Sequence, residues 1–238
     1  TKYTTGIGYQ FSVTEQQTFT ANIDWIHVDA LSKNRQPNAF YTPDGTLLRE
    51  DNYPAENKKI INILSSAVDY RLKNSRAGEL LTGIKAAKVE SCNRFGFYTK
   101  DVLDATRSNR FTYQESNLEG YMQYAQQWKR MQASAGLQSE YMQTVGTLKS
   151  YQDETTIEEN KKSRTKLFPN FSVSYELNNS SKFTLAYNKR QDKPRYEDLN
   201  PFEYLLDELT YWKGNPFIQP QTSHRISLDY TMKKLSIS

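Results

Sequence analysis

The stretch FSVSYEL, residues 171–177, sets Phe171, Val173, Tyr175 and Leu177 against Ser172, Ser174 and Glu176. A polar tetrad follows at 178–181. The run KFTLAYNKR, 182–190, then sets Phe183, Leu185 and Tyr187 against Thr184, Ala186 and Asn188. After a long polar segment, HRISLDYTM, 224–232, alternates His224, Ile226, Leu228, Tyr230 and Met232 with Arg225, Ser227, Asp229 and Thr231. A period of two sends successive side chains to opposite faces of a strand. Two such runs joined by a short Asn/Ser turn read as a hairpin. One face is apolar and aromatic; the other is hydroxyl, amide and charge. That contrast points to a membrane β-barrel, with Phe183, Leu185, Tyr187, Ile226, Leu228 and Tyr230 toward lipid. Thr184, Asn188, Ser227 and Asp229 are expected to face the lumen.

Composition agrees. In 238 residues, 24% are charged and 37% hydrophobic, a low apolar share for a soluble packed interior. A barrel needs only alternate strand residues to be apolar. The 17 Tyr, 11 Phe and 3 Trp fit interfacial girdles, although aromatic residues also favour strands in general. No run of 18 apolar residues exists, so no transmembrane helix is expected. The start, TKYTTGIGYQ, has neither the basic nor the hydrophobic region of a signal peptide, which reads as a mature or excised piece. The net charge is +4 with scattered basic residues, which argues against nucleic-acid binding. Cys92 stands alone and offers neither a disulfide framework nor a cysteine metal site. No cofactor is expected.

Taken in order, a first strand spans about residues 2–13, with Gly6 and Gly8 on its polar side making room in a lumen. After a turn at 14–17, a second strand carries Phe19, Ala21, Ile23 and Trp25. Near Trp25 the phase shifts to Ile26 and Val28, which predicts a bulge or the end of the membrane zone. Residues 31–59 read as a long loop, punctuated by Gln36-Pro37, Thr42-Pro43-Asp44-Gly45 and Tyr53-Pro54. A third strand of imperfect phase follows at about 59–73 and a fourth at 79–89. A second loop covers 90–110. A fifth strand lies within 113–125, turning at Gln126-Gln127 into a sixth from Trp128. The charged segment 144–166 reads as a third solvated loop. Strands seven to nine are those above, and Leu235 opens a tenth. The fold class is therefore all-β: an antiparallel up-and-down meander of about 10 strands with short turns at one end and long loops at the other. The whole of 1–238 forms one barrel segment.

Three strings carry a resemblance: LFPNFSVSYEL, KFTLAYNKRQDKPRYEDLNPFEY and YWKGNPFIQPQTSHRISLDY, spanning Leu167 to Tyr230. They resemble the barrel of the TonB-dependent receptor superfamily, and more narrowly the outer-membrane β-barrel family allied to the SusC-type nutrient receptors. The matching positions are Pro169, Ser174, Arg190, Pro194, Tyr196, Leu199, Asn200 and Pro201, then Gly214, Asn215, Pro216 and Pro220. The resemblance implies residence in the bacterial outer membrane, contact with the lipid bilayer and uptake of a nutrient ligand. It also implies a surface lipoprotein partner and engagement of TonB through segments outside this chain. Such receptors have about 22 strands and an amino-terminal plug; no plug is recognisable here, so a fragment of a larger barrel is expected. Asn200-Pro201 and Gly214-Asn215-Pro216 are turn signals that fold the loop after the eighth strand back on itself, with Gly214 expected at positive φ.

Catalysis has little support. His27 and His224 are the only histidines, and nothing in their spacing supplies a nucleophile, a base and an orienting group. Acidic pairs such as Glu50-Asp51 and Asp153-Glu154 lack the ligand spacing of a calcium loop. Aromatic residues in the loops, chiefly Phe97, Tyr98, Tyr211 and Trp212, are the candidate ligand-stacking positions. The favoured reading is a non-enzymatic transport barrel. The alternatives are a small outer-membrane barrel or adhesin that binds a partner through its loops, and a barrel hydrolase.

Overall fold

The computed structural model describes residues 1–74, 77–99, 101–178, 180–195, 198–200, 203–205, 210–215, 217–232 and 235–237. Ten strands form one antiparallel sheet in sequence order. They are β1 (Lys2–Thr14), β2 (Gln17–Tyr41), β3 (Leu47–Asn74), β4 (Gly78–Thr99), β5 (Val102–Gln127), β6 (Met131–Ser150), β7 (Thr156–Asn178), β8 (Ser181–Asp192), then β11 (Gln221–Met232) and β12 (Leu235–Ile237). Between β8 and β11 a separate two-stranded ribbon pairs β9 (Glu203–Leu205) with β10 (Tyr211–Lys213). Strands β1 and β12 form the two edges of the large sheet.

Register explains the alternation. Directly opposed residues share a face, and Phe183, Leu185 and Tyr187 oppose Tyr230, Leu228 and Ile226. Across β7 the same three meet Tyr175, Val173 and Phe171. Thr184, Ala186 and Asn188 oppose Asp229, Ser227 and Arg225 on the other face. The apolar face is bare: Ile226 and Leu228 are 75% and 64% exposed. Water would not leave such a surface uncovered, and a bilayer accepts it. Rings mark its two borders. Near the short turns, Phe19 packs on Tyr70 and Phe183 on Tyr230, each at 4.7 Å between centroids. Toward the other end, Trp25 and Tyr3 stack on His27, and Tyr187 meets Phe171 and His224. On β2 the two borders lie six to eight residues apart, about 20–27 Å along a strand. Tilted strands of that length match a hydrocarbon band with aromatic girdles.

Three expected loops are strands. Residues 31–59, 90–110 and 144–166 continue β2 to β7 with cross-strand pairing, such as Leu31↔Lys58, Glu90↔Gln114 and Val145↔Lys161, broken by register shifts of which the widest passes over 105–108, between Phe95↔Asn109 and Phe97↔Asp104. Short tips at 42–46 and 151–155 reverse the chain, and Asp101, at φ 61°, sits in the turn before β5. Above the lipid both faces of a strand meet water, so the alternation that marks a half-apolar strand disappears. The prolines misled in the same way. Pro37 and Pro54 sit inside paired strands, opposite Asn52 and Arg35. Pairing of β1 with β2 stops at Val28, and that of β3 with β4 starts at Ala55. Each proline therefore lies where its strand has no second neighbour to receive an N–H. The turn expected at Gln126-Gln127 falls three residues later, closed by Trp128 N–H donating to the Met131 carbonyl at 2.7 Å.

Of the two readings of the phase shift near Trp25, the bulge is absent, because both registers of β2 run unbroken through Trp25, opposite Thr5 and Leu64, and the end of the membrane zone agrees with the Trp25–His27 ring pair at the border. Instead the inner face becomes apolar at this height: Ile26 opposes Ile63, which opposes Val89. Gly6 and Gly8 oppose Asp24 and Asn22, and a Cβ on Gly8 would stand 2.6 Å from the Asn22 amide oxygen. The two glycines leave space for those side chains on the inner face.

Candidate functional site

The buried residues gather on the inner face of β4 to β7, at the end away from the short turns. Val89, Phe95, Phe97, Phe111, Tyr113, Met142 and Leu148 all have the parity opposite to the lipid-facing set. The β8–β11 connection covers part of them, and we refer to it as the strap. Its Leu199 completes a buried cluster with Phe111, Tyr113 and Leu148.

The strap is held by charge and by a clasp. Lys193 Nζ lies 3.0 Å from a carboxylate oxygen of Glu115 on β5 and 3.0 Å from one of Glu140 on β6. Both carboxylate side chains are buried, at 7% and 8% exposure, whereas Lys193 retains 38%. Tyr113 donates its hydroxyl to Glu115 at 3.2 Å. Burial works against the Lys193 charge, but the hydrogen bond it donates to Glu140 and the charge of Glu115 outweigh it, so the ammonium titrates above its ordinary range. A raised value means that the pair contributes fully below pH 10.5 and is lost as pH climbs through the folded value. The Lys193→Met substitution is expected to destabilise the folded protein by about 1–3 kcal/mol, because it strands two buried carboxylates. Lys193 is itself one-third exposed, which favours the lower end. Urea midpoints of the two proteins check this. In the wild type, strap protection from protease should hold from neutral pH to about 10 and fall above it.

The clasp uses the family-motif positions. Asn215 N–H donates to the Asp198 carbonyl at 2.7 Å, and Asn215 Oδ1 accepts from Phe217 N–H at 2.8 Å. Arg195 pairs with Asp198 at 3.2 Å. Gly214 is buried, yet its φ is not positive, contrary to expectation. Close approach is the reason a glycine is needed: a Cβ there would stand 2.7 Å from the Asp198 carbonyl oxygen and closer still to that of Asn200. Asn200 is 1% exposed. Pro194 and Pro220 lie at the two ends of the strap and both line the cavity described next. Pro169 on β7 opposes Leu137 on β6, and Arg190, near the end of β8, pairs with Asp192 at 3.5 Å. Tyr196, Pro201 and Pro216 lie outside the described residues.

Between strap and wall lies a cavity of about 570 Å³. Its β5 wall carries Phe111, Tyr113 and Glu115, and its β6 wall carries Met142, Thr144 and Gly146. Lys162, Arg164 and Lys166 enter from β7, and Leu199 and Ile218 from the strap. Sequence reading missed this site, having assigned 144–166 to solvated loop. The alternation Lys162, Arg164, Lys166, Phe168 was the available signal.

None of the four candidate stacking aromatics lines this cavity among its described residues. Phe97 is 2% exposed; Tyr53 stacks on it at 5.9 Å and Arg107 covers it at 5.4 Å. Neighbouring Tyr98 has its phenol pushed up by burial and by the Glu56 carboxylate. Tyr211 and Trp212 lie exposed on β10, with Trp212 opposite Tyr204. The structure thus places one pair on the sheet and the other on the ribbon. The histidines join the border rings: His27 Nδ1 meets Asn62 Oδ1 at 2.7 Å, and His224 Nδ1 meets the Tyr187 hydroxyl at 2.9 Å.

The sequence profile of the outer membrane protein beta-barrel family matches residues 10–238, nearly the whole chain. The chain belongs to that family. Its place is the bacterial outer membrane, and its strands are those of a transmembrane barrel. Solved structures of similar fold are receptors and transporters. They include the copper transporter OprC (TM-score 0.69, 14% identity), which is matched over 96% of this chain and 36% of its own. The ferric yersiniabactin uptake receptor FyuA from Yersinia pestis gives a TM-score of 0.55 at 10% identity, over 96% of this chain and 33% of its own. The ferric citrate transporter FecA gives 0.62 at 10% identity, over 96% and 32%. This member of the outer membrane protein beta-barrel family spans about a third of the length of those receptors. No curated protein matches it.

Proposed function

We propose that the chain forms part of the barrel wall of a TonB-dependent receptor that imports a nutrient, without catalysis, and that the strap shapes the outer mouth of the lumen. The observation that carries this reading is the combination of a lipid-ready face with a strap pinned to the opposite, inner face by Lys193, Glu115 and Glu140. A wall that served only as an anchor would not need Lys193 and Leu199 seated against its inner face. The similar receptors are copper, ferric yersiniabactin and ferric citrate proteins, which supports uptake of a nutrient solute. On this reading a plug, a TonB contact and a surface lipoprotein belong to neighbouring segments and partners. The small-barrel alternative finds no favouring observation, since β1 and β12 do not pair in the described sheet.

The test uses the full-length protein in intact cells, in a Cys92→Ser background. Thr46→Cys, at the tip between β2 and β3, should react with a membrane-impermeant maleimide from outside. Gln16→Cys, in the turn between β1 and β2, should react only after the outer membrane is opened. Purified protein should migrate faster before boiling than after. Equal labelling of both positions in intact cells would overturn the membrane topology on which the reading rests.

A further inference from the structure

We propose that the outward face of β3 to β6 carries a docking row for the phosphate groups of lipid headgroups in the outer leaflet. This rests on the receptor reading for which end of the strands lies outside, and adds the lipid class that the wall recognises. Three observations carry it.

The first is a line of four cations. Lys58 on β3 directly opposes Arg94 on β4, Arg94 opposes Arg110 on β5, and Arg110 opposes Lys149 on β6. The line crosses three strand spacings, about 14 Å. Its direction is fixed by the neighbouring residues. Asn93 and Phe95, Asn109 and Phe111, and Leu148 are buried on the inner face, so Arg94, Arg110 and Lys149 point outward. Lys58 shares their face, because directly opposed residues do. Like charges directly opposite one another weaken a sheet. Open water gives no return for lining up four of them, whereas a layer of fixed anions does.

The second is that the carboxylates on this face answer only part of the line. Lys58 lies 3.8 Å from Asp29, and Arg110 lies 3.1 Å from Glu154. Glu56 is held by Lys33 at 2.5 Å and Glu90 by Lys88 at 2.8 Å. Asp153 accepts from the Thr155 N–H and hydroxyl, and Glu159 opposes Thr147 rather than Lys149. Arg94 is exposed and Lys149 half-buried, and neither has a carboxylate within ion-pair distance among the described residues. The strap does not supply one here, since it is seated on the opposite face against Phe111 and Glu115. Arg94 brings the planar fork that matches a phosphate in two parallel hydrogen bonds.

The third is height. His27, in the ring group at the upper border, opposes Asn62, and that line continues through Glu90, Gln114 and Val145. Each cation stands four residues beyond it on its own strand, about 13 Å along the strand and about 10 Å along the membrane normal at the usual tilt. Thr112, Gln114 and Thr147 share the outward face between the two lines and offer hydroxyl and amide partners. This is the zone where headgroups begin, and basic side chains beside an anionic headgroup layer are attracted to it. The cations are spread along an open sheet face, which suits a layer of headgroups better than one small soluble anion.

The probe is diphosphoryl lipid A, titrated against the full-length protein in neutral detergent and read by microscale thermophoresis, with the same lipid stripped of its phosphates as the comparison. The phosphorylated lipid should bind at least tenfold more tightly, and its advantage should shrink as salt is raised. Arg94→Gln or Lys149→Gln alone should weaken it several-fold, and the two together tenfold or more, with the stripped lipid unaffected. Lys85→Gln, whose parent lies over the Tyr121 ring at 5.0 Å on the inner face, should leave both lipids unchanged. Equal affinity for the two lipids, or undiminished binding by the double variant, overturns the proposal. Displacement of the lipid by an equal concentration of inorganic phosphate also overturns it, because the line would then be a site for a free anion. Heat-modifiable migration of the same samples separates the two readings and checks that each variant is assembled. A migration shift without preference for the phosphorylated lipid overturns the headgroup row and leaves the barrel standing. No migration shift in the wild type overturns the barrel, and the row with it.

Discussion

The Leu185→Arg substitution is expected to lower unfolding free energy in lipid by about 2–4 kcal/mol, whereas Thr184→Arg, one residue earlier, changes it by about 1 kcal/mol or less. Leu185 sits between Val173 and Leu228 in register, midway between the Phe183–Tyr230 ring pair and the Tyr187–Phe171 pair. A guanidinium there must either enter hydrocarbon or bend to the interface. Bending is limited, because two rings already occupy each route, so only part of the cost is recovered by snorkelling. Thr184 lies on the other face, opposite Asp229 and beside the Ser174 hydroxyl at 2.9 Å. An arginine at that position meets water and a carboxylate. Urea unfolding in liposomes, read by tryptophan fluorescence, gives both values. Equal costs at 184 and 185 would mean that neither face meets lipid, and the barrel assignment would fail.

That one-residue contrast is also what made the membrane zone legible. Where one face meets hydrocarbon and the other meets water, the chain must alternate, and residues 171–177, 182–190 and 224–232 do so without a break. The same rule made the outer half of the sheet illegible. From Leu31 to Lys58 both faces are wet, so Asn, Lys, Arg and Pro are as acceptable in a strand as in a loop. What holds those residues in a strand is cross-strand pairing over long sequence separations, such as Asn34 with Ala55, and no local pattern records that. The cavity was hidden for a related reason. Its cations alternate, but they alternate with Lys161 and Ser163 rather than with apolar residues, so the eye sees a charged run. Their common direction emerges only once β7 is known to pair with β6. By contrast, the motif residues of the strap were visible as turn punctuation. Their folding of the strap back on itself was readable too, while the target of that fold, Leu199 against Phe111 and Tyr113, was not.

Gly214→Ala and Gly214→Val are both expected to release the strap while leaving the barrel assembled. The obstacle is the Cβ itself, since the atoms it would meet are the carbonyl oxygens of Asp198 and Asn200, which cannot rotate aside as a side chain would. To relieve the clash, the backbone at 214 must withdraw from the 198–200 turn. The Asn215 N–H···Asp198 hydrogen bond goes with it, at about 0.5–1.5 kcal/mol. Leu199 then leaves its place against Phe111, Tyr113 and Leu148, forfeiting about 1.5–3 kcal/mol of burial. Together these come to about 2–4.5 kcal/mol of local stability, equivalent to a rise of roughly 30- to 2,000-fold in the open population of the strap. Protease cleavage within 193–220 should accelerate accordingly, because cleavage tracks that population when opening is fast. Heat-modifiable migration should persist, since no strand of the large sheet depends on Gly214. Asn215→Ala is the milder comparison: it keeps the backbone N–H and loses only the side-chain bond from Phe217 N–H, so its cleavage should rise about tenfold or less. A tolerated Gly214→Ala beside a damaging Gly214→Val would show that side-chain bulk, and not the close approach of two backbones, is what position 214 excludes.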